Sequence, residues 1–260
     1  MRFKLKLEVC PQVMGCELPF NYQYELSAAI YRILSQSDST YSLWLHENGF
    51  IADNKRFKLF TFSNLIVPFY GIDKQRQRLI IKSDTIDWYI TFLPEKSTKQ
   101  FIEGVFCQQN FQIADRISGV EFLIREIQVM PPIEYHNEMF FKTLSPICIS
   151  RRREDGKFDY LSPSDPNYTK GILTGLRSRY KAYYDKEYPD KAYCDFQVLG
   201  EAKSALVKIK TDTPQQTFVR GYRYEFGIKL PEELMRIMYE SGLGEKGSLG
   251  WGMCEVLDKK

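Results

Sequence analysis

The eleven residues Gly242-Leu243-Gly244-Glu245-Lys246-Gly247-Ser248-Leu249-Gly250-Trp251-Gly252 hold five glycines, and their surroundings decide the fold class. Gly242-x-Gly244-x-x-Gly247 has the spacing of a dinucleotide-binding loop, which must follow a strand and open a helix inside a βαβ unit. Here the order is reversed. A helical pattern at 231–240 begins with Pro231 and carries Glu232-Glu233 in its first turn, and residues 253–257 after the glycines read as a strand. Helix, loop, strand speaks against the dinucleotide-binding reading of these glycines. A Walker A loop is excluded too, because no Gly-Lys-Ser/Thr follows. What remains is a backbone able to take positive φ at several points and to approach another backbone or a phosphate, with Lys246 and Ser248 as donors. The plainer reading is a helix C-cap and a tight turn into an edge strand.

Upstream, residues 140–150, 196–199, 206–210 and 218–228 are rich in aromatic and β-branched side chains and read as strands, with a helix at 166–184. The first half has the same rhythm. Apolar residues alternate with charged ones at 2–9, a strand period, then recur at helical spacing through Leu26, Ile30, Ile33 and Leu34. Residues 10–22 between them read as turns. A shorter helix at 40–48 ends at Gly49, strands follow at 57–63, 65–70, 78–82 and 86–92, and a helix at 95–107 precedes strands near Phe111 and at 120–129. Each half is therefore roughly β-α-β-β-α-β. This is an α+β class of two tandem ferredoxin-like domains, the frame that RNA-recognition modules also use. Pro131-Pro132 interrupts any regular element, which puts the domains at 1–132 and 133–260.

Composition narrows the function classes. An ordinary mix of 43% apolar and 27% charged residues excludes collagen, coiled coil and disordered chain. No stretch approaches the ~18 consecutive apolar residues of a membrane span, and the alternating N-terminus is not the apolar core of a signal peptide. A cytoplasmic protein without a membrane partner is expected. Six cysteines lack C-x₂-C spacing and read as buried free thiols. The two histidines, His46 and His136, argue against a histidine-rich metal site. Charge is balanced by halves, with 15 basic and 14 acidic side chains in 1–130 and 21 and 19 in 131–260, so the total singles out no partner. Clusters matter more, because a phosphate responds to charge within a Debye length of about 8 Å. Three stand out: Lys55-Arg56 with Lys58, Arg151-Arg152-Arg153, and Lys203, Lys208 and Lys210 with Arg220 and Arg223 on adjacent strands.

An ordered series of segments carries a resemblance along nearly the whole chain. It comprises Met1-Arg2-Phe3, Leu18-Pro19-Phe20-Asn21-Tyr22-Gln23-Tyr24, Tyr31, Leu45-His46-Glu47, Lys58-Leu59-Phe60-Thr61-Phe62-Ser63, Thr143-Leu144-Ser145-Pro146-Ile147 and the glycine-rich stretch ending at Gly252-Met253. In this order the segments resemble the CRISPR repeat-processing endoribonucleases, the Cas6 family, whose most specific mark is the C-terminal glycine-rich motif. The resemblance implies two ferredoxin-like domains, a CRISPR repeat RNA as partner, cleavage within repeats, and no metal or other cofactor. It also admits other subunits of a CRISPR effector complex as partners, and either a monomer or a homodimer.

Metal-free RNA cleavage uses the neighbouring 2′-hydroxyl as nucleophile and leaves a 2′,3′-cyclic phosphate and a 5′-hydroxyl. It needs proton transfer and a cation beside the phosphorane. By resemblance these roles fall to His46, Tyr31 and Lys58: imidazole has an ordinary pKa of about 6.5 and exchanges protons at neutral pH, the phenol would hydrogen-bond the 2′-OH or phosphate, and the amine would face the phosphorane. Taken alone, His46 would read as structural and Tyr31 as a core or rim residue. The spacing from His46 to Lys58 is longer than in the family pattern, so Lys55 and Arg56 compete for the cation's role. RNA contacts are expected from Lys55, Arg56, Arg151, Arg152, Arg153, Lys208, Lys210, Arg220, Arg223, Gly244, Lys246, Gly247 and Ser248, and His136 reads as a surface residue. Two other readings stand beside the enzyme: a repeat-RNA-binding subunit without turnover, and a tandem RNA-recognition module, which the absence of a Lys-Gly-Phe-Gly-Phe-like string disfavours.

Overall fold

A computed structural model describes residues 1–189, 191–209 and 214–257. In chain order the first half runs β1 (Arg2–Val9), α1 (Gln23–Ser37), α2 (Ser39–Glu47), β2 (Phe60–Phe62), β3 (Thr85–Phe92), α3 (Glu95–Cys107), β4 (Asn110–Ala114) and β5 (Gly119–Val129). The second runs β6 (Glu138–Thr143), α4 (Tyr168–Tyr184), β7 (Asp195–Ile209), β8 (Thr217–Lys229), α5 (Glu232–Ser241) and β9 (Cys254–Val256).

The alternation in β1 does what a period of two requires: Phe3, Leu5, Leu7 and Val9 are buried while Lys4, Lys6 and Glu8 point away. Buried on one face, β1 sits mid-sheet between β3 and β5, in the order β2-β3-β1-β5-β4. The second sheet has the order β7-β8-β6-β9. Apart from the added edge strand β4, the two sheets share one antiparallel order, second-third-first-fourth. Helices α1 and α3 bury Ile30, Leu34 and Phe101 against Phe3, Leu5 and Trp88. In the other half, Leu176 of α4 and Leu234 and Met238 of α5 meet Phe141, Phe226 and Ile228. Leu59 and Leu93 belong to this second core, so the halves pack against each other.

Several strands depart from the sequence expectation. The stretch 57–63 is broken at Leu59, whose φ of 53° turns the chain before β2. Of residues 65–70, Ile66 makes one bridge to Asp87 and only Tyr70 enters a strand, Tyr70–Asp73, which pairs with Arg78–Ile81; between them Pro68 has no N–H to donate to a ladder. The stretch 140–150 bends after Thr143, where the amides of Leu144 and Ser145 both donate to the Met253 carbonyl, at 2.8 and 3.1 Å. Strands expected at 196–199 and 206–210 are one strand, β7, with a register shift between Leu199 and Lys203; Lys210 lies outside the described residues. The turn-rich 10–22 holds a short helix, Pro11–Met14, and a strand, Glu17–Pro19, that pairs with Arg78–Ile81. The cysteines are all free, but only Cys10, Cys148 and Cys254 are buried, and Cys107 is exposed. Among the described residues no helix is long and apolar enough to cross a membrane.

Candidate active site

Asp38 caps α2, its carboxylate accepting from the Tyr41 amide at 2.8 Å, and the helix closes at Gly49 with φ of 62°. A side chain at Gly49 would begin 2.5 Å from the Phe57 carbonyl, so only glycine lets the next strand come back this close. That strand belongs to a tight hairpin, Phe50–Ala52 with Lys55–Phe57, turned by Asp53 and Asn54 at φ of 50° and 59°. The hairpin takes up the long spacing between His46 and Lys58. It returns the Lys58 ammonium to donate to the His46 carbonyl at 2.6 Å and the Arg56 guanidinium to donate to the Glu47 carbonyl at 3.0 Å. Two cations thus satisfy the orphan carbonyls at the C-terminus of α2, where the helix dipole favours positive charge.

Tyr31 reaches the same place from α1. Ser42 ties the two helices together by donating to the Tyr31 carbonyl at 2.8 Å. The Tyr31 ring meets the exposed His46 imidazole edge-on, with centroids 4.9 Å apart, and packs against Phe60 at 5.7 Å. Burial pushes the Tyr31 phenol well above its ordinary range, the Ser248 side chain opposing part of the shift, and keeps it a neutral donor. Burial, with the like charge of Arg56, brings Lys58 down to about 8. Tyr31, His46 and Lys58 are therefore brought together. His136 lies apart on the surface.

The glycine-rich stretch does cap α5 and turn into β9, as the plainer reading expects, with the Gly242 amide donating to the Met238 carbonyl at 2.9 Å. It also crosses to the other half. Ser27 of α1 donates to the Ser248 carbonyl at 2.6 Å, and Thr61 of β2 donates to the Trp251 carbonyl at 2.7 Å. Gly244, at φ of 87°, passes so close to Cys148 that a Cβ would lie 2.5 Å from its carbonyl oxygen. Beneath the loop the buried Arg179 guanidinium donates to the Gly242 carbonyl.

Between this loop, the Lys55–Phe57 hairpin and α4 runs a groove of about 850 Å³. Its lining includes Lys55, Arg56, Lys58, Arg151, Arg152, Gly244, Lys246, Gly247 and Ser248 from the sequence expectation. Arg153 does not line it and pairs instead with Asp155 at 3.2 Å and Asp159 at 3.6 Å. Lys208 and Arg220 lie on a different surface, on one face of the β7–β8 ribbon, where Lys208 pairs with Phe218 and Leu206 with Arg220. Arg223, opposite Lys203, falls on the other face. Sequence reasoning misses three charged lining residues, Lys170, Arg179 and Glu245. Lys170 and Arg179 sit in an expected helix, but which helix face meets the groove follows only from packing; Glu245 lies inside the glycine motif with no pattern to single it out. Among the described residues no three His, Cys, Asp or Glu side chains converge as metal ligands would.

Two family models match the chain in tandem: CRISPR-associated protein Cas6, N-terminal, over residues 17–128, and CRISPR associated protein Cas6, C-terminal, over residues 129–256. The chain belongs to the Cas6 family. A Cas6 endoribonuclease of Methanocaldococcus jannaschii is 28% identical over 100% of this chain and 94% of its own length. One of Pyrococcus furiosus is 26% identical over 100% and 91%, and a second Cas6 protein of that organism, named endoribonuclease-like, is 27% identical over the full length of both. Among solved structures, a Cas6-related protein from Pyrococcus furiosus superposes with a TM-score of 0.84 at 25% identity, covering 100% of this chain and 99% of the other. A RAMP protein described as binding different RNA substrates gives 0.82 at 26% identity, covering 99% and 100%.

Proposed function

We propose that this chain is a CRISPR repeat-processing endoribonuclease of two ferredoxin-like domains, 1–132 and 133–260, that cleaves precursor RNA without a metal ion. The shared strand order of the two sheets supports the domain reading. One observation carries the function: a neutral phenol packs against an imidazole, and the main-chain carbonyl of that histidine holds the amine of Lys58, which lines a cation-rich groove, in a chain similar over its whole length to Cas6 endoribonucleases. In this reading the groove's cations hold the RNA backbone and fix its register.

Tyr31 donates a hydrogen bond to the 2′-hydroxyl or the scissile phosphate. The 2′-oxygen attacks phosphorus as the bond to the 5′-oxygen breaks; one proton leaves the nucleophile and one reaches the leaving group, and His46 carries out proton transfer. Lys58, charged at neutral pH, offsets the growing charge of the phosphorane. The products are a 2′,3′-cyclic phosphate and a 5′-hydroxyl. Repeat RNA is the partner, the cytoplasm the location, and other subunits of a CRISPR effector complex are further partners.

The test is incubation with end-labelled repeat RNA in EDTA, reading cleavage position and end chemistry together. His46→Ala is expected to bind the RNA as wild type does and to cut it about 10²-fold more slowly. Unchanged cutting removes His46 from the reaction. The endoribonuclease-like name of one relative favours a second reading, a repeat-RNA-binding subunit without turnover. Bound RNA with no cyclic-phosphate ends would select it.

A further inference from the structure

Among the described residues, every charged side chain lining the groove is basic except Glu245. A carboxylate facing a polyanion weakens its binding unless the charge is engaged elsewhere. Here it is engaged by the protein. One Glu245 oxygen accepts from the Ser150 amide and hydroxyl, both at 3.0 Å, and the other accepts from the same hydroxyl at 2.8 Å. The Glu245 amide donates to the Cys148 carbonyl at 2.7 Å. Ser150 is the root of the hairpin Ser150–Arg152 with Phe158–Tyr160, and the two residues after it, Arg151 and Arg152, line the groove. In the other direction Glu245 leads through Lys246 and Gly247 to Ser248, which touches Tyr31. Beyond that root the hairpin is exposed, with Phe158 57% accessible, and is held largely by pairs within itself, Arg151 and Arg153 each reaching Asp159 at 3.6 Å.

We propose that Glu245 is a positioning residue that latches the basic hairpin to the glycine-rich loop, so that Arg151 and Arg152 meet the RNA in fixed register with Tyr31 and His46. The latch rests on the RNA-processing reading for its purpose, though not for its geometry. A carboxylate kept only for solubility would repel RNA, and its removal would tighten binding. A latch predicts the reverse.

Two measurements on the full chain separate these outcomes. In titrations with repeat RNA, Glu245→Ala is expected to raise the dissociation constant about tenfold, as loss of a charge-assisted hydrogen-bond pair would. Glu245→Gln, which keeps an acceptor oxygen, is expected to recover most of the loss, and Ser150→Ala to reproduce part of it. Because the carboxylate acts through the two arginines, its removal is expected to add little in an Arg151→Ala/Arg152→Ala background. Without RNA, amide hydrogen exchange across 150–160 is expected to quicken in Glu245→Ala. Equal or tighter RNA binding by Glu245→Ala, or losses that multiply with those of the arginine variants, would overturn the proposal. Unchanged exchange rejects the latch itself, whereas a wild-type chain that ignores repeat RNA rejects the function reading and, with it, the latch's purpose.

Discussion

Lys58 answers to two environments at once: the His46 carbonyl that binds its ammonium, and the burial and neighbouring Arg56 that lower its pKa to about 8. A lysine is charged below its pKa, so the cation is present at neutral pH and lost as pH rises through about 8. RNA cleavage is expected to fall on the alkaline side with that midpoint, and Lys58→Arg, whose guanidinium stays charged, to push the fall beyond reach. A rate that stays flat through the midpoint would take Lys58 out of the reaction. The titration of Lys58 would not itself unfold the chain. The unfolded lysine keeps its proton toward its ordinary 10.5, so between the two values the unfolded chain binds more protons and this group stabilises the fold as pH rises. Residue types of the site are legible in the sequence, since few side chains exchange protons or hold a cation beside phosphate. Partnership is not legible: that Lys58 folds back on His46 depends on two left-handed residues, Asp53 and Asn54, whose hairpin no apolar period announces.

Glycines in helices and loops separate local preference from packing. Gly252 has φ of 80°, and a Cβ there would lie 1.9 Å from the Leu243 carbonyl oxygen. Gly252→Ala is therefore expected to cost about 1–3 kcal/mol from backbone strain alone, with more from the clash, and thermal unfolding should show it as a lower midpoint. Gly175, inside α4, has nothing within 4 Å of its would-be Cβ. Gly175→Ala should raise the midpoint, by about 0.5–1 kcal/mol of helix preference. If both shift the same way, conformational freedom does not govern these positions. The same division explains which elements the sequence announces. Helices α1, α3 and α5 each have a periodic apolar face, and β1 a strict alternation, so their own residues declare them. The strand breaks at Leu59 and after Thr143 do not, because each is imposed by a distant partner: Leu59 packs in the core of the other half, and Met253 captures two amides beyond Thr143.

Across the molecule, the net charge of +3 conceals a groove where basic side chains gather from both halves, which makes the alignment of those halves a functional quantity. Arg2 at the start of β1 contributes to it. Its side chain is buried at the seam, donates to the Cys254 carbonyl at 2.6 Å, and stacks 3.8 Å from the Tyr239 ring centre. Two terms oppose each other. Charged hydrogen bonds are stronger than neutral ones, and removing the donor strands a buried carbonyl at about 1–3 kcal/mol. Against this, the guanidinium is itself desolvated and its Nε has no hydrogen-bond partner among the described residues, so deleting it relieves a penalty. The stranded carbonyl and the lost ring contact outweigh that relief, because the guanidinium already keeps one strong bond and a π face, whereas methionine offers the carbonyl nothing. Arg2→Met, which retains the apolar stem, is expected to lower the unfolding free energy by about 1–3 kcal/mol in a urea titration. An unchanged midpoint would mean that desolvation cancels the bond and that the halves are aligned instead by the glycine-rich loop and its contacts with Ser27 and Thr61.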